Sequence, residues 1–186
     1  MRISRLVIAA LVSCAALLSA CGGQFSPTNR ARVAPQYSAG ESHYVAGNGS
    51  MWVVINGNPF RFHDKHVSDQ IARRAMRGAH YGPRVNFVAY RPSGRSENYR
   101  VVLFYYAPRS FGGAMLCSGQ RRPRPDRPQG NFVTVLAAYC RGDQRLTEVR
   151  GTTLAFRPDD PRFTDMIRKL TYRLFPRDEP SRRNDS

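Results

Sequence analysis

Tyr99-Arg100-Val101-Val102-Leu103-Phe104-Tyr105-Tyr106 is apolar on both alternating faces for most of its length, and Phe132-Val133-Thr134-Val135-Leu136-Ala137-Ala138-Tyr139-Cys140 has the same property. Strands that bury both faces belong in the middle of a sheet, with other elements packed above and below. These two runs are therefore read as central strands, and the rest of the chain is placed around them.

Upstream, Val85-Asn86-Phe87-Val88-Ala89-Tyr90 reads as a strand joined to the first central one by the turn-rich residues 91–96. Met51-Trp52-Val53-Val54-Ile55 is a further strand. Asn56-Gly57 after it is a strong hairpin signal, because such a turn needs positive φ at both central residues. The return strand would be Phe60-Arg61-Phe62, with Pro59 marking a sheet edge. Between them and residue 85, Val67, Ile71, Ala72, Ala75, Met76 and Ala79 recur at three- and four-residue steps and predict a helix over 67–79. Ser68 or Asp64 can cap its start; Arg73, Arg74 and Arg77 lie on its other side. That basic stripe reads first as a solvated face.

Downstream, residues 141–144 form a turn and residues 145–152 alternate as a returning strand, which 153–156 can extend. Asp160-Pro161 then opens the clearest helix, with Asp as cap, Pro at the first helical position, and Phe163, Met166, Ile167, Leu170 and Leu174 as its buried stripe. Pro176 stops it, and residues 177–186 read as a charged, disordered tail. The order of elements predicts a single α+β domain over 44–176: a mainly antiparallel sheet of five to six strands with two helices packed on one face.

The longest irregular stretch, 107–131, runs between the two central strands and carries Arg121-Arg122-Pro123-Arg124-Pro125-Asp126-Arg127-Pro128. Prolines at that density favour an extended path and exclude regular pairing. A loop of this length inside a compact domain is usually functional or disordered. Arg109, Arg121, Arg122, Arg124 and Arg127 share it with Phe111 and the flanking Tyr105-Tyr106. Guanidinium forks suit phosphate or carboxylate, and neighbouring rings add stacking, so these five arginines are the candidate anion- or partner-binding residues. The bland alternative is a basic loop without a fixed ligand.

At the N-terminus, Arg2 and Arg5 precede an uncharged segment of about thirteen apolar or small residues, shorter than the roughly 17–25 that a membrane-spanning helix requires. Leu18-Ser19-Ala20-Cys21 follows, then Gly22-Gly23. This arrangement resembles the signal peptide and lipobox of bacterial lipoproteins. The resemblance implies cleavage before Cys21, a diacylglycerol thioether on its sulfur and anchoring in the lipid bilayer, where two or more acyl chains hold stably. Residues 1–20 are then a cleaved signal. Residues 21–43, rich in Gly, Ser, Pro, Asn and Gln, read as a flexible tether. Gly22 stands where some lipoproteins carry an Asp retention signal, which favours the outer membrane with the domain in the periplasm.

The full chain has 29 basic and 13 acidic residues, a formal charge of +16, and Lys65 and Lys169 are its only lysines. Removing Arg2 and Arg5 with the signal leaves 27 against 13, or +14. A basic exported protein meets anionic surfaces, envelope polymers or acidic partner proteins rather than nucleic acid; an arginine-rich proteome is the plainer source of the charge. Cys14 leaves with the signal and Cys21 is the lipid acceptor. Cys117 and Cys140 remain in an oxidising compartment, where a disulfide is the default. A metal or redox pair is the sharper alternative, but the two lack a C-x-x-C spacing.

No nucleophile elbow, zinc-protease helix motif or phosphate-cradling loop is present in the sequence. His63, Asp64 and His66 stand close together, with His43 and His80 elsewhere, and fit an exposed loop better than a metal site. Glu148, between Arg145 and Arg150, reads as a surface ion pair. The sequence therefore predicts a non-enzymatic envelope module, with no cofactor and no metal, that binds another envelope protein or an anionic polymer or surface. A periplasmic hydrolase whose residues are distant in sequence and a small-ligand carrier are the alternatives.

Overall fold

The computed structural model describes residues 30–119 and 123–177. Six strands form one sheet: β1 (Arg32–Val33), β2 (Ser50–Asn56), β3 (Asn86–Val88), β4 (Tyr99–Tyr105), β5 (Phe132–Arg141) and β6 (Gln144–Leu154), in the spatial order β1-β6-β5-β4-β2-β3. The pairings from β1 to β4 are antiparallel, and β2 runs parallel to both β4 and β3. Four helices accompany it: α1 (Ala39–Ala46), α2 (Lys65–Met76), α3 (Gly113–Cys117) and α4 (Pro161–Leu174). The class is α+β, the sheet is mixed, and it does not close into a barrel.

The two central strands divide their side chains as their composition requires. Val101, Leu103 and Tyr105 of β4, with Val133, Val135, Ala137 and Tyr139 of β5, join the main core. There they meet Ala72, Ala75 and Met76 of α2 and Phe163, Met166, Ile167, Leu170 and Leu174 of α4. Val102, Phe104, Leu136, Ala138 and Cys140 point the other way into a smaller core closed by Phe111, Leu116 and Cys117. A 2.0-residue side-chain period makes this division unavoidable once both faces are apolar. The predicted pair of helices on one face is α2 and α4. The opposite cover, α3, lies inside the stretch read as irregular. Its five residues are too few to signal a helix by periodicity.

Both long helices start on aspartate. Asp64 accepts the His66 backbone N–H at 2.8 Å, and Asp160 accepts that of Arg162 at 3.0 Å. Asp160 also receives the Arg162 guanidinium at 2.8 Å. That guanidinium, aided by the backbone N–H groups of Arg162 and Phe156, holds the Asp160 carboxyl down from 3.8 to about 2. A carboxyl depressed on folding stabilises the native state above its unfolded value and loses that contribution as pH falls through the folded one. Asp160→Ala should therefore cost about 1–2 kcal/mol in urea unfolding at neutral pH. The gap from wild type should close as the pH falls from 3.8 towards 2.

Two expectations need correction. Residues 51–62 do not form a hairpin. Gly57 has the expected positive φ of 83°, but an added Cβ there would lie 3.3 Å from Tyr105 Cβ, so the turn is pressed against β4. Phe60 enters the core, its ring centroid 5.1 Å from that of Phe163, and Pro59 gives its carbonyl to the Tyr106 hydroxyl at 2.9 Å. Burying Phe60 competes with placing it in a ladder, and burial wins. The segment 21–43 is not all tether either: β1 pairs Arg32 with Glu148, and α1 begins at Ala39. Glu41 of α1 accepts Arg141 at 2.6 Å and the Tyr99 hydroxyl at 2.5 Å. Burial, reinforced by this carboxylate, pushes the Tyr99 phenol up to about 12. Cys21 and the rest of the signal and lipobox lie outside the described residues, as does the tail after Arg177.

Candidate functional site: an arginine-lined cleft

The smaller core covers only part of its face of the sheet. α3 lies over Leu136, Ala138 and Cys140, and the next rows of that face, Thr134 opposite Thr152 and Phe132 opposite Leu154, extend beyond it. There an open cleft of about 750 Å³ forms. Thr134 and Thr152 make its floor, their hydroxyls 3.3 Å apart. Arg30 and Arg32 bound it on one side, while Arg109, Phe111, Asp126 and Arg127 belong to the loop that walls the other.

The loop is fastened from beneath. The guanidinium of Arg150, half-buried on β6, donates to the carbonyls of Ala107 at 2.9 Å, Pro108 at 2.8 Å and Phe111. Burial lowers its pKa, and the nearby Glu148 and Asp126 carboxylates oppose that shift. Tyr106, at the end of β4, is the only described non-glycine residue with positive φ, at 58°. Such a conformation costs a non-glycine residue about 1–2 kcal/mol. It is held by the Tyr106 backbone N–H donating to Thr134 at 2.9 Å and by the Asp126 N–H donating to the Tyr106 carbonyl at 2.7 Å. The proline-rich return leg is thus tied to the cleft rim at Asp126.

Glu148 overturns the surface-pair reading. It is buried, and its carboxylate accepts the Gly113 backbone N–H at 2.6 Å. Arg145 approaches it at 3.3 Å and Arg32 at 3.5 Å. It fastens the start of α3 and contributes negative charge to the floor beside the arginines. The disulfide joins Cys117 at the end of α3 to Cys140 on β5, with Cα atoms 5.6 Å apart. α3 is therefore fixed at both ends.

Of the five arginines singled out in the sequence, Arg109 and Arg127 line the cleft. Arg124 is exposed and not among the lining residues, and Arg121 and Arg122 lie outside the described residues. Sequence reasoning missed Arg30, Arg32 and Arg150. Alternation held a usable signal: Glu148, Arg150 and Thr152 share one face of β6, and Arg30 and Arg32 repeat that spacing on the neighbouring segment. No ion pair or hydrogen bond engages the guanidiniums of Arg30, Arg109 or Arg127 among the described residues.

The histidines do not converge. His43 lies against Tyr81 with the rings tilted, His80 sits between Phe87 and Phe175, and His63 is exposed beside Phe60. No group of three metal-ligating side chains comes together among the described residues. No helix among them is long and apolar enough to cross a membrane.

No protein-family model matches the chain, and no curated protein does. Among solved structures it is similar to PelC dodecamers from Paraburkholderia phytofirmans. One, a point variant, is 15% identical with a TM-score of 0.42 over 83% of this chain and 100% of that one. Another, in a second crystal form, is 16% identical with the same TM-score of 0.42 over 80% and 97%. At this distance the likeness assigns no role to any residue of the cleft.

Proposed function

We propose that this chain is a lipid-anchored bacterial envelope protein, facing the periplasm, that binds an anionic partner in the arginine-lined cleft and catalyses no reaction. The observation that carries the reading is convergence. Arg30 and Arg32, Arg109, Arg127 and Arg150 come from four separate stretches of chain and meet around one opening. A basic composition alone scatters its charge. Here three guanidiniums face the opening without acidic partners, while a fourth is spent on holding the wall in place. Such groups favour carboxylate or phosphate, each charge-assisted bond being roughly twice as strong as a neutral one. Phe132, half-exposed at the same opening, supplies ring surface.

The anchor rests on the residues before the domain. Arg2, Arg5, the apolar run and Leu18-Ser19-Ala20-Cys21 support lipid attachment at Cys21. Cys21→Ala should shift the protein from the membrane fraction to the soluble fraction on cell fractionation; unchanged membrane association would remove the anchor from this reading. For the cleft, Arg109→Glu combined with Arg127→Glu should weaken binding to immobilised dextran sulfate by about tenfold, or about 1.4 kcal/mol. Unchanged binding at low salt would contradict the assignment.

A further inference from the structure

Guanidiniums are not the only chemistry in the cleft. Beside Arg127 in the wall stands Asp126, whose backbone N–H is engaged by Tyr106. Its exposed carboxylate makes no ion pair or hydrogen bond among the described residues. Arg150 does not pair with it, being held by the carbonyls of Ala107, Pro108 and Phe111. A free carboxylate repels a simple polyanion, but it is a strong acceptor for a hydroxyl. On the floor the Thr134 and Thr152 hydroxyls face one another at 3.3 Å. Each carries one proton and their mutual bond uses one, so one O–H is left to donate into the cleft. Phe132 adds a half-exposed apolar ring at the same opening.

Each of these groups asks for a different part of a ligand. A uronic acid unit carries all the parts at once: a carboxylate, several hydroxyls and an apolar C–H face. A glutamate-rich peptide has the carboxylates and lacks the hydroxyls. We propose that the cleft takes an acidic glycan, a short run of uronic acid units. Its carboxylates meet Arg109 and Arg127, and its hydroxyls donate to Asp126 and accept the spare O–H of the threonine pair. The C–H face of one sugar ring lies on Phe132. The opening, about 750 Å³, falls within the roughly 300–1,000 Å³ of ligand sites. Selectivity follows, because groups placed to bond a hydroxyl are left unpaired by a ligand without one. The proposal rests on the reading of the cleft as an anion site and adds hydroxyl recognition to it.

The test titrates the purified full chain, by isothermal calorimetry, with tetragalacturonate and with tetraglutamate acetylated and amidated at its ends. The two ligands carry the same charge. Tetragalacturonate should bind saturably and at least about tenfold more tightly, a difference of about 1.4 kcal/mol. Asp126→Ala should weaken the sugar about fivefold and strengthen the peptide, because the carboxylate bonds to the hydroxyls of one and repels the other. Equal binding of the two ligands to the wild-type protein would overturn the glycan, because charge alone would then explain the contact. Tighter binding of the peptide would overturn it in favour of an acidic protein segment. Parallel changes for both ligands in Asp126→Ala would remove hydroxyl recognition and the proposal with it. Failure of both to bind while dextran sulfate still binds would overturn the glycan and leave the anion cleft standing. Failure of dextran sulfate as well would remove both.

Discussion

Gly113→Ala should lower the stability of the domain by about 3 kcal/mol, although a single methyl group is added. A Cβ at this position would sit 2.5 Å from Glu148 Oε2, 2.8 Å from Glu148 Cβ and 2.9 Å from Arg145 Cδ. The carboxylate has no free direction of retreat, because it is buried on β6 and already holds the Gly113 N–H. Moving it breaks a charge-assisted bond and leaves a buried acceptor under-satisfied, each worth about 1.5–3 kcal/mol. Urea unfolding of Gly113→Ala, Glu148→Ala and the pair would check the mechanism. The double variant should be less destabilised than the sum of the singles, since each removes what the other clashes with. Additive costs would mean that the two residues do not act on one another.

Removing the disulfide should cost a comparable amount. Cys117 and Cys140 are separated by 23 positions, and closing a loop of that size restricts the unfolded chain by about 3 kcal/mol. The effect should be local in its first stages. With Cys117→Ala and Cys140→Ala together, α3 keeps Glu148 at its start but loses its covalent tie to β5, so the wall of the cleft loosens. Native-state hydrogen exchange should then rise first at residues 113–117, while the amides of β4 and β5 stay protected up to global unfolding. Uniform acceleration across the sheet would contradict the view that the bridge chiefly fastens α3.

How far the sequence could be read follows from how local each determinant is. The two-faced strands β4 and β5 were legible because burial on both sides writes an unbroken apolar run. α4 was legible because Asp160, Pro161 and the apolar stripe all lie within the helix itself. The segment 51–62 misled because its determinant is distant. Asn56-Gly57 favours a hairpin locally, but Phe60 packs against Phe163, more than a hundred positions away, and β2 finds its partner in β4 instead. α1 was hidden for a similar reason. Its apolar residues form no helical stripe, and what fixes it is Glu41 meeting Arg141 and Tyr99.

The site divided along the same line. The loop carrying Arg109 and Arg127 announced itself through its proline and arginine density. The opposing rim did not, because Arg30 and Arg32 reach the cleft only through the pairing of β1 with β6. Arg150 and Glu148 look alike in sequence, as charged neighbours on an exposed strand. The structure makes one a clamp on the loop and the other the seat of α3.

The central claim is that the cleft, and not the total charge, meets the anionic partner. Two variants with the same charge change separate these possibilities: Arg109→Glu with Arg127→Glu in the cleft, and Arg74→Glu with Arg77→Glu at the exposed end of α2. Dextran sulfate binding, measured across a salt series, should fall about tenfold for the cleft pair and stay close to wild type for the helix pair. Equal losses from the two pairs would contradict the account.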